Sequence, residues 1–166
     1  MSKQISKYHC FIGVTLIVTL LLLLLGSLSP KRTTTVSYID QQCKITDEQF
    51  ALSWIHSVDK TPWVEYYRRD KAAFLLTETE FRTFGAGVPH DGEVIPTTNG
   101  MIRYRVNLPM TEINWVVDKE VQSTIVLSNG GRFEIFKETD RYQPIYITNQ
   151  SLNFWQRLFI RNCHES

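Results

Sequence analysis

The sequence predicts an all-β domain, a sandwich or barrel of about eight short strands. One N-terminal transmembrane helix precedes it and a short amphipathic C-terminal helix follows. Three observations lead there. Residues Phe11–Leu28 carry no charge and include six consecutive leucines, Leu20–Leu25. Beyond them, apolar residues recur mostly at every second position, as in half-buried strands. After Ser151 the period changes to that of a helix with one apolar side.

Charge follows the same division. The 166 residues hold 18 basic and 17 acidic groups, but the first 32 carry Lys3, Lys7, Lys31 and Arg32 and no acid. The remainder therefore holds 14 basic and 17 acidic groups, a net −3. A nucleic-acid binder is disfavoured, because phosphate neutralisation needs clustered Lys and Arg. Disorder is disfavoured too, since about 40% of residues 33–166 are apolar and can form a core. The division of the chain is then 1–32 as tail and anchor (or uncleaved signal), 33–150 as an extracytoplasmic β domain, and 151–166 as the amphipathic helix.

Eighteen helical residues at about 1.5 Å each span roughly 27 Å, close to the hydrocarbon core of a bilayer. Thr15 and Thr19 are tolerable there because a hydroxyl can bond a carbonyl one turn back. Cleavage is disfavoured: a cut after Ser29 places Pro30 next, and one after Ser27 places Leu25 where a small residue is wanted. The positive flanks are nearly balanced, with Lys3 and Lys7 against Lys31, Arg32 and Lys44, so charge leaves the orientation open. Position and the long downstream domain favour the domain outside the cytosol.

Of three cysteines, Cys10 sits at the edge of the proposed span as a free thiol. Cys43 and Cys163, at opposite ends of the outer domain, either pair in an oxidising compartment or remain separate thiols. No Cys spacing points to structural zinc.

Thr33–Thr35 reads as a short polar exit from the membrane. Along Phe50–Ser57, Phe50, Leu52, Trp54 and His56 share a face. In Trp63–Arg69, Val64 and Tyr66 face one way, Glu65 and Tyr67 the other. Phe74–Phe84 is a long third strand. Ile102–Leu108 and Ile113–Val117 alternate cleanly, the latter with Trp115 between its two ends. Thr124–Ser128 and Arg132–Phe136 flank Asn129-Gly130-Gly131, residues that accept positive φ and signal a hairpin. Pro144–Thr148 is the last strand. Ser151 then caps a helix over Leu152–Asn162 whose aromatic side opposes Asn153, Gln156, Arg157 and Arg161. That helix either packs on its own domain or lies at a membrane interface through Trp155, Arg157, Phe159 and Arg161.

Two stretches carry the densest chemistry. His56-Ser57-Val58-Asp59-Lys60-Thr61-Pro62-Trp63 joins two neighbouring strands, so His56, Asp59, Lys60 and Glu65 are expected to converge at one end of a sheet. A carboxylate beside a histidine is the usual general-base arrangement. The plainer reading is a structural hairpin in which Lys60 pairs with Glu65. Phe84-Gly85-Ala86-Gly87-Val88-Pro89-His90 is a loop whose glycines allow tight turns, but it lacks the third glycine and following helix of a dinucleotide fingerprint. A metal held by His56, His90 and the acids has no supporting spacing. No cofactor is expected.

These two motifs, in this order, resemble the bacterial domain of unknown function family numbered 1850 over about residues 40–148. Asp59 departs from the pattern, where members often carry Glu. The resemblance implies a small envelope protein encoded beside tripartite ATP-independent periplasmic (TRAP) transporters of the TAXI type. It favours a single-pass protein of the bacterial cytoplasmic membrane with its C-terminal domain outside the cytosol. The expected function is a binding module accessory to such a transporter, its partner a permease or solute receptor. The contact surface expected is His56, Ser57, Asp59, Lys60, Trp63, Glu65, Phe84, Gly85, Gly87 and Pro89. The alternative is an envelope hydrolase or metal-binding enzyme using His56, Asp59, Glu65 and His90.

Overall fold

The computed structural model describes residues 2–85, 87–88 and 92–163, with the side chains of residues 2–11 outside that description. Cys10, Lys3 and Lys7 are therefore placed by backbone alone. The chain divides into two compact units, Met1–Lys31 with Ser151–Phe159, and Arg32–Gln150 with Ile160–Ser166.

The first unit is built on α1 (Ser2–Ser27), one unbroken helix. Its hydroxyls turn back on their own backbone: Thr15 donates to the Ile12 carbonyl and Thr19 to that of Thr15, both at 2.8 Å. Leu20–Leu25 are each 47–69% exposed. Six successive residues pass around the whole helix, so exposed leucines lie on every side of it. Among the described residues, no helix is long and apolar enough to cross a membrane.

The tail helix is shorter than its period predicts. α2 covers Phe154–Phe159 alone. Ser151 and Leu152 end the preceding strand instead of starting the helix. The cap is Asn153, whose side chain accepts from the Gln156 N–H at 2.9 Å while Gln156 Oε1 accepts from the Asn153 N–H at 2.9 Å. This reciprocal pair closes both orphan donors. Trp155 donates its indole N–H to the Leu23 carbonyl of α1 at 3.1 Å. Gly26 makes this approach possible, since a Cβ there would lie 2.4 Å from Trp155 Nε1. Phe159 is 83% exposed.

The second unit contains two sheets, which share one core. The strands among the described residues are β1 (Lys31–Tyr38), β2 (Gln41–Ile45), β3 (Gln49–Ile55), β4 (Pro62–Asp70), β5 (Ala73–Phe81), β6 (Glu93–Ile95), β7 (Ile102–Met110), β8 (Ile113–Val117), β9 (Thr124–Leu127), β10 (Arg132–Phe133), β11 (Gln143–Leu152) and β12 (Arg161–Asn162). They form a five-stranded sheet in the order β12-β2-β1-β11-β8 and a seven-stranded sheet in the order β10-β9-β3-β4-β5-β7-β6. Val36, Ile45, Ile113 and Ile147 from the first sheet pack with Phe50, Leu52, Phe74 and Ile125 from the second. That is sandwich packing, each sheet offering every second side chain.

Three expectations change here. The predicted polar exit is the buried β1: Thr34 and Thr35 are fully buried, their hydroxyls bonded by Arg69 Nε at 3.0 Å and the Thr148 hydroxyl at 3.2 Å. The eight expected strands become twelve among the described residues, as β1, β2, β6 and β12 are added. Arg161, expected on a polar helix face, lies in β12, beside β2, and donates to Tyr38 and Glu138. Cys163 follows it and is disulfide-bonded to Cys43, with Cα atoms 5.0 Å apart. Closing a loop with a sequence separation of 120 is worth about 4–5 kcal/mol in the chain-entropy model.

Candidate functional site

The β3–β4 ladder places three pairs on the core face: Phe50 beside Tyr67, Leu52 beside Glu65, and Trp54 beside Trp63. On the next strand, Phe81 lies beside Trp63 and Thr79 beside Glu65. Period two does the sorting, so a carboxylate and two indoles enter the interior with the aliphatic residues. The rings form a ladder across the sheet, with Trp54–Trp63 centroids 6.0 Å apart at 17° and Trp63–Phe81 5.1 Å apart. Trp115 reaches in from β8 of the other sheet, 5.9 Å from Trp54 and tilted by 58°. Where the aliphatic core ends, these rings leave a cleft of about 460 Å³, lined by Trp54, His56, Trp63, Glu65, Trp115 and Asp118, with Tyr142 also at its wall. That volume suits a small molecule.

The two carboxylates differ in character. Glu65 Oε2 accepts from the Tyr67 hydroxyl at 2.6 Å, and among the described residues no cation pairs with it. Burial pushes its carboxyl above the usual carboxylate range, and the Tyr67 bond opposes this only in part. Burial and the neighbouring carboxylate raise the Tyr67 phenol far above its ordinary value, so it remains a donor. Asp118 is only 6% exposed yet is held below its usual range, first by the Glu120 backbone N–H at 2.8 Å and also by Arg141. Arg141 Nε stands 3.5 Å from Asp118 Oδ2, too long for a good hydrogen bond. In the same ladder the indole N–H of Trp63, which is 5% exposed, and the hydroxyl of Thr79 are also buried without a partner among the described residues.

The expected contact residues gather partly around this cleft. His56 stacks on Trp63 at 5.4 Å. The hairpin turn closes with Lys60 N–H on the His56 carbonyl at 2.9 Å, and Lys60 takes φ 54°, strained for a side chain with a Cβ. Ser57 and Lys60 are exposed. Gly85 lies against this turn: a Cβ there would meet Asp59 Oδ2 at 2.5 Å, so the two motifs touch because glycine has none. Phe84 is exposed and packs its ring edge on Phe81. Gly87 has φ 86° and lines the cleft. Pro89 and His90 lie outside the described residues. Lys60 does not pair with Glu65, whose partner is Tyr67. Trp155, Arg157 and Phe159 belong to α2, in the other unit.

Of the acid–base candidates, His56 and Glu65 both line the cleft and Asp59 lies on the turn beside His56. His56 Nδ1 lies 3.2 Å from Asp59 Oδ2, but it also accepts the Asp59 backbone N–H at 3.2 Å. A neutral ring nitrogen cannot accept that bond and donate to the carboxylate at once. Among the described residues no group of three His, Cys, Asp or Glu side chains is placed to hold a metal ion.

Trp54, Trp115, Asp118 and Tyr142 were not among the residues the sequence singled out. The alternation does mark Trp54 and Trp115 as inward-facing, and tryptophans at inward positions of separate strands are the one available signal. Asp118 follows β8 in a turn and has no such pattern.

No curated protein and no solved structure matches the chain. One family model does, described as "Domain of unknown function (DUF1850)", over residues 50–134. That span runs from the first inward residue of β3 to just past β10. It holds the His56–Trp63 hairpin, the Gly85–Gly87 loop and all three cleft tryptophans, and on this match the chain belongs to the DUF1850 family.

Proposed function

We propose that the chain is a membrane-anchored binding module of the bacterial envelope, accessory to a TRAP-type solute transporter, that takes a ligand or partner group in its tryptophan cleft. The observation that carries this is the state of the cleft's inner wall. Glu65 lines it with one neutral donor and no cation among the described residues, and behind the rings the Trp63 N–H is buried without a partner among them. A groove with an aromatic wall and a few convergent polar groups is the usual form of a small-ligand site.

The anchor reading draws on the uncharged run Phe11–Leu28 and on leucines exposed around every side of α1. Lipid removes the cost of that exposure. The disulfide favours an oxidising compartment and so a domain outside the cytosol. The link to a transporter rests on the family resemblance.

The test is affinity isolation of the intact protein from mildly solubilised membranes, with co-eluting proteins and small molecules identified by mass spectrometry. The expected result is a permease, a solute receptor or a solute that is retained by the natural chain and lost from Trp115→Ala. Nothing co-eluting with either would overturn the reading.

A further inference from the structure

The charges of the cleft point to the kind of ligand, and this step rests on the binding reading above. Its wall offers three indoles, one carboxylate with only a neutral donor, and a second carboxylate beside a shared arginine. Arg141 is already engaged by Glu120 at 2.6 Å as well as by Asp118. No cation of the chain approaches Glu65 among the described residues. An anionic ligand would therefore meet two carboxylates without a free counter-charge in the lining. Indole faces have the reverse preference: their negative quadrupole attracts cations, more strongly where water is excluded.

The outer surface of the same sheet carries a groove of about 570 Å³ between Phe50 and Ser128, but its Tyr66 and Glu78 are already engaged by Arg103. The exposed end of α2 shows nothing that names an occupant.

We propose that the cleft takes a small organic cation, an alkyl-substituted ammonium group, walled by Trp54, Trp63 and Trp115 with Glu65 as its counter-ion. A neutral polyol could use the same rings, but it would leave Glu65 as uncompensated as it is in the free protein.

The experiment is a titration of the full-length chain in detergent micelles, carrying Trp155→Phe so that fluorescence reports only the three cleft tryptophans. The probes are choline and its uncharged isostere 3,3-dimethylbutan-1-ol, checked by calorimetry. Choline is expected to bind at least about tenfold more tightly than the isostere. Glu65→Gln, which keeps the shape and the Tyr67 bond, is expected to bring the two affinities together. Trp115→Leu should weaken choline severalfold more than the isostere. Equal affinity for both probes would overturn the cation class while leaving the cleft a ligand site. Preference for choline that survives Glu65→Gln would overturn the counter-ion role. Failure of both probes up to about 100 mM would overturn the cation proposal. The membrane isolation then separates the two readings: a solute still lost from Trp115→Ala keeps the cleft as a site, and nothing co-eluting removes it as well.

Discussion

The two faces of the seven-stranded sheet each carry a carboxylate at nearly the same height, and the chain treats them oppositely. On the outer face Glu80, 4% exposed, accepts from Arg103 Nε at 2.6 Å, Tyr66 at 3.2 Å and Asn99 at 2.9 Å. Arg103 also lies over the Tyr66 ring at 4.7 Å. On the inner face Glu65 has one neutral hydroxyl. Val64 and Glu80 are register partners, as are Glu65 and Thr79, so the two acids occupy adjacent rungs of one ladder. Full pairing of a buried charge offsets its desolvation cost, so removing the partner is what destabilises. A charge left short of partners costs stability and marks a place where something else can supply the charge.

Three substitutions break or sharpen this contrast. The largest effect belongs to the outer face. Arg103→Ala strands Glu80 without its cation and should lower the unfolding free energy in urea by about 3 kcal/mol. On the inner face Tyr67→Phe removes the hydroxyl donor to Glu65 and should cost about 1.5 kcal/mol at neutral pH, by the same measurement. Glu65→Gln has the smallest effect and the opposite sign. Because the folded carboxyl titrates above its unfolded value, its contribution is fully present below the unfolded pKa and is lost as pH rises through the folded one. The natural chain should therefore lose stability with rising pH across and above the usual carboxylate range. The variant should lack that part of the slope and exceed the natural chain near neutrality by less than the Tyr67→Phe loss. Identical slopes for the two would remove the contrast.

Much of the inner face was legible because period two needs no tertiary information. Trp54 with His56, and Glu65 with Tyr67, fall on shared faces by counting alone. Pairing across the sheets is another matter. Trp115 approaches Trp54 only because β8 closes the edge of the other sheet, and no local pattern encodes that. Thr33–Thr35 read as an exposed exit because three hydroxyls look polar, whereas Arg69 and Thr148, far along the chain, supply partners for two of them. The tail was overextended for a similar reason. Arg161 fits a helical period, yet pairing with β2 and the adjacent disulfide draws it into a strand. The meeting of the two motifs at Gly85 and Asp59 agrees with their being expected on one contact surface, but the cleft beside them needed the fold.

The most direct test of the uncompensated inner acid is a carbon-13 NMR titration of the Glu65 side-chain carboxyl, with and without saturating choline. Reading that carbon itself matters, because His56, Asp118 and Tyr142 also line the cleft. The account predicts a titration above the ordinary value of 4.5 in the free protein, moving downward when the cation is bound. A Glu65 that titrates at its ordinary value, unchanged by choline, would contradict it.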